Sequence, residues 1–466
     1  MIPLFGHTRY LILILILLCM TIIRSNEMLF NMTVICMTVN DTTIGIQPIL
    51  LSPHDSSIIF ASSVIGVAVF SLPVACLLYR FGMRTTFPVL MVVSALATAA
   101  IPAATHLGLP AIICARICQD LALAAVMPII GCVTSHWAPR SELGFFVTVL
   151  SMTGQTAQMV AMPLATHFCM VTGWPYAFYN HSLLSLLLAV ASVSLYRDSP
   201  EHHPFVSKEE YLRITAAKIQ KSREATVPYS SIVSSTAVWA IWIAFFGNSF
   251  GFQFTVRCMP IYFNKVLNVP IGRTGLSAMI LPVSQLVVKL ILGVAADHVD
   301  CFNKRFNLQF SNTLSMVGCG LWLLPLGFLE RKDDVAAHIC FTASISCVAF
   351  ETCGSMNGVT LVAGDFTQFV MAVAQLLSTV GMLVVPFLVS WLAPQNTVQE
   401  WRLVVLIIVV VHTVADIIFC SLCSDKLEDW AFGGIDASII NQFRLESVRK
   451  QLSSRDDERN VAGRNK

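Results

Sequence analysis

Charged residues are scarce in this sequence. Only 12% of its 466 residues are Asp, Glu, Lys or Arg, whereas 56% are hydrophobic. Soluble domains carry about 25% charged residues, so this chain has too little polar surface to coat a body in water. The mean hydropathy of +0.72 agrees with that conclusion. The sequence therefore predicts a protein whose main solvent is the lipid bilayer.

Patterns for catalysis are also missing. The fifteen cysteines are scattered, and their spacing matches neither a zinc site nor a disulfide framework, so we interpret them as small packing residues. No nucleophile–base or metal-ligand cluster stands out, and the chain has no glycine-rich nucleotide-binding loop. These absences argue against an enzyme, a nucleotide-driven pump, a metal centre and a bound cofactor. We also expect no nucleic-acid partner.

Apolar windows of about 20 residues, the length of a membrane span, recur along the chain. Twelve of them lie at residues 10–36, 57–79, 86–105, 109–134, 144–168, 173–195, 238–262, 273–296, 308–328, 336–360, 367–392 and 402–424. The sequence thus predicts an all-α membrane protein made of two six-helix halves. Its expected parts are an N-terminal half at 1–195, a cytoplasmic linker at 196–237, a C-terminal half at 238–424 and a cytoplasmic tail at 425–466 with a disordered end.

The distribution of Lys and Arg predicts the orientation. With both termini in the cytoplasm, about 20 of the 29 Lys and Arg fall in cytoplasmic segments. The external loops then hold only Lys265, Arg273, Arg331, Lys332 and Arg402. Asn40 starts an Asn-Asp-Thr sequon in the first external loop and is the expected glycosylation site. We expect the plasma membrane or an endolysosomal or vesicle membrane, and the sequence leaves the oligomeric state open.

Two oppositely charged pairs stand inside predicted spans. Arg24 and Glu27 are three residues apart, and Arg116 and Asp120 are four apart, so each pair shares a helix face. A charge at mid-membrane costs roughly 2.5–3.5 kcal/mol on insertion scales. In a functional interpretation, the guanidinium groups line a central cavity and bind an anion by paired hydrogen bonds, while a carboxylate takes up a proton.

Other interpretations of the same residues stay open. The two pairs would also suit static ion pairs that hold helices in register, and Arg116 would also suit a helix end from which it reaches the membrane surface. Lys289 would suit either helix packing or an approach to the inner face. Glu351 is followed by Gly354 and Gly358, small residues that let helices approach closely, so we predict a gating role for it.

The sequence resembles one transporter family over about residues 9–431, most strongly in the first half, and six segments carry most of the resemblance. They are IIRSN at 22–26, YRFGMR at 79–84, ARICQDLALAAVMP at 115–128, SHWAPRSE at 135–142, MPLATHFCMVTGWPYAFY at 162–179 and PIYF at 260–263. On these segments the sequence resembles the anion–cation symporter family of the major facilitator superfamily. That family includes phosphate cotransporters, sialin and vesicular glutamate transporters.

The resemblance implies alternating access, a small anion as substrate, and a proton or sodium ion as coupling partner. It places Arg24 and Arg116 on positions associated with substrate anions. We add Asn26, from the same helix-one motif, and Asn248, which stands where the glutamate carriers have a helix-seven Arg, as candidate substrate-binding residues. Glu27 completes the set as a candidate for ion coupling or ion pairing.

The sequence departs from the family pattern at several positions. The family's helix-four Glu, associated with proton coupling, falls on Leu123. The helix-two His of the glutamate carriers falls on Phe60 and their helix-seven Arg on Asn248, so glutamate specificity does not carry over. The usual coupling carboxylate does not carry over either, and Asp120 or Glu27 is the candidate replacement. The leading prediction is an ion-coupled secondary transporter of organic or inorganic anions. The alternative is a membrane sensor or scaffold that keeps the fold and moves nothing.

Overall fold

The computed structural model describes residues 7–38, 53–215, 227–267, 271–295, 303–329 and 333–432. All regular secondary structure in these ranges is helical, and twelve spans follow one another. The N-terminal half has α1 (Thr8–Thr38), α2 (Pro53–Phe81), α3 (Met83–Leu107), α4 (Leu109–Trp137), α5 (Leu143–Ser151 and Thr153–Val171) and α6 (Trp174–Leu195). The prediction of an all-α membrane protein is confirmed.

The C-terminal half has the other six spans. They are α7 (Thr236–Gln253, continued by Phe254–Cys258, Met259–Ile261 and Tyr262–Val266), α8 (Ile271–Ala295), α9 (Lys304–Leu323, then Leu324–Phe328), α10 (Asp334–Val348, Ala349–Thr352 and Ser355–Ala363), α11 (Thr367–Leu392) and α12 (Val398–Leu422). The segments Phe254–Cys258 and Tyr262–Val266 of α7 are π-helical. Such π-turns interrupt the regular hydrogen bonds of a helix and often lie near functional sites.

Single glycines make the tight turns of the N-terminal half. Gly82 joins α2 to α3 at φ 78°, Gly108 joins α3 to α4 at φ 98°, and Gly173 joins α5 to α6 at φ 105°. A side chain would strain the backbone at each of these angles, whereas glycine adopts them freely. These short turns make consecutive spans antiparallel neighbours.

Buried apolar side chains show where the two halves meet. We call the side that carries the linker the linker side, and the opposite side the far side. One continuous core on the linker side contains residues of both halves and of the linker, among them Ile130, Ile214 and Met371. On the far side, the described residues form two separate cores, one in each half, represented by Phe30 and Phe341.

Close backbone packing closes the linker side. A Cβ on Gly131 of α4 would lie 2.9 Å from the backbone nitrogen of Gln368 in α11, so only glycine fits there. A Cβ on Gly293 of α8 would lie 3.3 Å from Cγ2 of Thr148 in α5. The halves are therefore joined on the linker side, while each keeps its own core on the far side.

Ion pairs fasten the linker to the N-terminal half. The Arg9 guanidinium donates to Glu142 at 2.8 Å, and Arg213, on the linker helix Lys208–Thr215, donates to the other oxygen of Glu142 at 2.8 Å. The backbone N–H of Arg9 donates to Glu210 at 2.9 Å. Burial alone would raise the pKa of Glu142, but hydrogen bonds from Arg9 and Tyr10 and the nearby positive charges hold its pKa below the ordinary value.

Replacing Glu142 with Gln is expected to loosen the linker helix. A lowered carboxyl pKa means that the stabilisation is present above the ordinary pKa of Glu and is lost as the pH falls through the lowered value. At neutral pH we expect Glu142→Gln to speed amide hydrogen exchange in residues 205–215 about fivefold, the factor for roughly 1 kcal/mol. Glu201→Gln, an exposed change on the same linker, is the control; equal exchange in both variants would contradict the prediction.

One expectation about the cysteines is wrong, and two others concern residues outside the described ranges. A disulfide joins Cys36 of α1 to Cys169 of α5, so the interpretation of all cysteines as packing residues was wrong for this pair. The two residues are 133 positions apart, and their spacing gives no sign that the far-side ends of α1 and α5 are neighbours. The predicted glycosylation site at Asn40 and the predicted disorder of the tail end, within 433–466, lie outside the described residues.

Candidate functional site

The first predicted pair lies near the middle of α1. Nη1 of Arg24 lies 3.8 Å from Oε2 of Glu27, as their spacing predicts. Nε of Arg24 is buried and donates no hydrogen bond, yet the side chain keeps 18% of its surface exposed. Arg24 therefore holds an unused, buried donor on a side chain that is otherwise partly exposed.

Arg116 is placed differently, since its side chain is buried with only 1% exposed. Its Nη1 donates to the backbone carbonyl of Glu27 at 3.2 Å and to Oε1 of Gln119 at 2.5 Å. Its Nη2 donates to Ser63 at 3.2 Å, and the guanidinium stands 5.2 Å from the ring centre of Phe30. The interpretation of Arg116 as a residue that reaches the membrane surface is wrong. The side chain ties α1, α2 and α4 together.

Asp120 belongs to the same buried group. Ser63 of α2 donates its hydroxyl proton to Oδ2 of Asp120 and accepts from Arg116, so the hydroxyl links the two charges that the spacing placed side by side. Oδ1 of Asp120 is buried without a hydrogen-bond partner. Sequence reasoning missed Ser63, and nothing in the sequence distinguishes it from its neighbour Ser62. Leu123, where the family has Glu, is buried among apolar side chains.

Asn26 faces away from the interface between the halves. Its side-chain amide donates to Ser185 of α6 at 2.9 Å, and its backbone carbonyl accepts from Gln119 at 3.0 Å. The neighbouring Ser25 contacts His181, also on α6, at 3.0 Å. The structure thus places Asn26 and Ser25 behind Arg24, where they fix the rotation of α1 against α6.

The C-terminal half contributes Asn248, Glu351 and Lys289 from three different helices. Asn248 of α7 accepts from Ser315 of α9 at 3.2 Å and hydrogen-bonds to the Glu351 carboxylate. Glu351 lies in the 3₁₀ segment of α10 and faces the charge of Lys289 on α8. Lys289 in turn faces the charge of Arg24 across the interface. Charges from α1, α8 and α10 therefore converge where the halves meet.

Gly354, three residues after Glu351, explains how α10 comes so close to α9. A Cβ on Gly354 would lie 2.9 Å from the backbone nitrogen of Asn312, so a larger residue would push the two helices apart. This contact agrees with the expectation that small residues beside Glu351 allow close helix packing. Glu351 is thereby held at the inner surface of its half.

The site contains as many formal positive as negative groups. Its cations are Arg24, Arg116 and Lys289, and its carboxylates are Glu27, Asp120 and Glu351. Such charges inside a membrane protein are expensive unless they are paired, and they mark pathways for ions and substrates. In the described residues, two six-helix halves meet at an internal charged site and share an apolar core on the linker side. This arrangement defines a polytopic membrane transporter.

Comparison with known proteins gives the family. Residues 13–365 match the model of the Major Facilitator Superfamily, so the chain belongs to that superfamily. Sialin of Ovis aries is 22% identical over 378 residues, which cover 80% of this chain and 76% of sialin. Vesicular glutamate transporter 3 of Danio rerio is 25% identical over 419 residues, covering 87% and 70%. The resemblance to the anion–cation symporters is confirmed.

A solved structure shows the same fold. The proton:xylose symporter XylE superposes with a TM-score of 0.66 at 15% identity, covering 90% of this chain and 97% of XylE. Likeness at that identity concerns the fold alone. Membership of a superfamily of transport proteins also means that the chain is a multi-pass membrane protein and not an enzyme.

Proposed function

We propose that this chain is a secondary active transporter that carries small organic or inorganic anions by alternating access, coupled to a proton or sodium ion. One observation carries the proposal. Arg24 keeps a buried, unused donor on a partly exposed side chain, near the charge of Lys289 in the other half, and the described residues of the two halves share an apolar core on the linker side. A guanidinium in that setting binds a carboxylate or phosphate through two parallel hydrogen bonds.

The charge balance supports ion coupling. With three cations and three carboxylates the site is formally neutral, so an added anion gains little net attraction. If one carboxylate takes up a proton, the site becomes positive and the anion binds better. A proton and an anion that favour each other's binding are then carried together, because such coupling between two ligands is reciprocal.

Two further observations support the orientation of the chain in the membrane and the class of substrate. The Cys36–Cys169 disulfide lies at far-side helix ends, and disulfides persist in oxidising compartments, which supports a cytoplasmic linker side with both termini. One relative carries glutamate, an anion, in its name. We propose the plasma membrane or an endolysosomal or vesicle membrane as the location.

Uptake into proteoliposomes tests the proposal. A panel of labelled carboxylates, phosphate and sulfate is offered to the purified protein, with and without imposed proton and sodium gradients. We expect at least one anion to accumulate above its external concentration, and only with one of the two gradients. Xylose and a cationic amino acid serve as controls that the site should refuse. Uptake of neutral solutes alone would refute an anion carrier.

Asp120 is the residue we propose for proton coupling, and Asp120→Asn tests it. Oδ1 of Asp120 is buried without a hydrogen-bond partner, and Oδ2 is linked to Arg116 through the hydroxyl of Ser63. Both features suit a carboxylate that gains and loses a proton. We expect the variant to keep exchange of internal for external anion but to lose accumulation driven by a pH gradient. For one coupled proton the loss is about tenfold per pH unit of gradient.

The control for this experiment is Asp334→Asn, at the far-side start of α10 and away from the site. Wild-type accumulation in Asp120→Asn would remove Asp120 from the coupling step. In that case Glu27, whose Oε2 is also buried without a hydrogen bond, is tested in the same way by Glu27→Gln.

Two observations favour the second candidate function, a sensor or scaffold. Leu123 replaces the family carboxylate with a buried apolar side chain, and Arg116 is fully enclosed by protein partners. A sensor built on this fold would bind an anion and move none. Anion binding by calorimetry together with no uptake or exchange of any panel member would establish that function instead.

A further inference from the structure

Four polar side-chain and backbone groups join the halves between α5 and α8. Nζ of Lys289 donates to the carbonyl oxygen of Ser151 at 2.9 Å and lies 3.5 Å from Oε1 of Gln155. Nε2 of Gln155 donates to Oε1 of Gln285 at 2.6 Å. We call Ser151, Gln155, Gln285 and Lys289 the α5–α8 latch. It is the polar counterpart of the apolar core that the halves share on the linker side.

The position of the latch in the two helices suits a closing device. Ser151 and Gln155 are four residues apart on α5, and Gln285 and Lys289 are four apart on α8, so each pair occupies one face over one helical turn. One turn closer to the linker end of α8, Gly293 packs against Thr148. The latch therefore lies directly above the contact that seals the linker side.

Lys289 has a second partner within its own half. Lys289 as a whole is only 7% exposed, and its ammonium is attracted by Glu351 of α10 and repelled by Arg24 of α1. A buried ammonium without a partner is strongly unfavourable. When α5 separates from α8, Lys289 loses both of its acceptors in α5. Glu351, which stays in the same half and already attracts Lys289, is the carboxylate among the described residues that can receive it.

We propose that Lys289 is a positioning residue that holds the linker side closed by binding α5, and that it transfers to Glu351 when this side opens. The proposal rests on the alternating access of the proposed function. It assigns opposite effects to the two charges: loss of Lys289 favours the open linker side, whereas loss of Glu351 favours the closed one. General weakening of the fold would not separate the two variants in this way.

Labelling of a cysteine at the sealed contact tests the latch. Thr148 is fully buried, so in the variant Thr148→Cys a membrane-impermeant thiol reagent on the linker side of oriented vesicles reacts only when that side opens. The labelling rate of the same protein with Thr148 unchanged is subtracted from the rate of each Thr148→Cys variant. We expect Lys289→Met to raise the rate about tenfold, as fits loss of one charge-assisted hydrogen bond, and Glu351→Gln to lower it.

Matched variants distinguish loss of the latch from a folding defect. Lys289→Arg keeps the charge and should label near the wild-type rate, and Gln155→Ala, which removes an uncharged partner, should give a smaller rise than Lys289→Met. Lys265→Met removes an exposed lysine at the end of α7 and should change nothing. Wild-type labelling in both Lys289→Met and Gln155→Ala overturns the latch. A rise in Glu351→Gln overturns the transfer.

Uptake by the wild-type chain distinguishes this proposal from the proposed function. Opposite labelling effects without any anion uptake would keep the latch and refute the carrier. Anion uptake with unchanged labelling in the Lys289 and Gln155 variants would keep the carrier and refute the latch.

Discussion

A disulfide between Thr148→Cys and Gly293→Cys is expected to reduce anion uptake to background, and reduction of that disulfide is expected to restore it. A Cβ on Gly293 would lie 3.5 Å from Cβ of Thr148, which is within the range that disulfides occupy. The bond joins α5 to α8, hence one half to the other, on the side that is already closed. Two halves tied there cannot open the linker side, and transport that requires both sides to open in turn stops.

The chain offers a matched control within one half. A Cβ on Gly318 of α9 would lie 3.6 Å from Cβ of Cys347 in α10, so Gly318→Cys can pair with a native cysteine without linking the halves. We expect this variant to keep uptake after oxidation. Formation of each bond is followed by mass spectrometry of the linked peptides. Full uptake with a complete Thr148–Gly293 link would mean that the halves do not separate at α5 and α8.

The spans were predictable because the bilayer sets their length. The windows at 57–79 and 402–424 fall inside or within a few residues of Pro53–Phe81 and Val398–Leu422. Each window depends only on local composition, and a bilayer requires about 20 apolar residues whatever the neighbours are. Helix ends extend beyond the windows where polar residues continue the helix into the interface.

The site was predictable only as far as it is local. Arg24 and Glu27 contact each other because they are three positions apart on one helix, and that spacing can be read from the sequence. Ser63 between Arg116 and Asp120, and the contact of Lys289 with Ser151, depend on which helices are neighbours in space. Hydropathy carries no information on that choice. The Cys36–Cys169 pair was missed for the same reason.

Replacing Arg24 with Ala is expected to lower anion uptake about 100-fold or more while the protein still folds. The estimate corresponds to two hydrogen bonds to a charged group, each worth about 1.5–3 kcal/mol. Folding should survive because Arg24 is partly exposed and its one ion pair, to Glu27, is long at 3.8 Å. Arg24→Lys keeps the charge but loses the paired geometry, so we expect an intermediate loss, seen mainly in KM.

Substitution of Arg24 tests the proposed anion site more directly than substitution of Arg116, because Arg116 also holds three helices together. Arg116 donates to three groups in α1, α2 and α4, and its removal leaves Asp120 as a buried charge whose partner is gone, a loss of about 3–5 kcal/mol. A loss of uptake in Arg116→Ala would therefore be explained by misfolding as readily as by loss of anion binding. Arg257→Ala, which removes a half-buried arginine in the far-side part of α7, is the control for loss of a membrane arginine. Equal uptake in Arg24→Ala and Arg257→Ala, at equal amounts of folded protein, would place the anion elsewhere, because the unused donor of Arg24 is the group on which the proposed site depends.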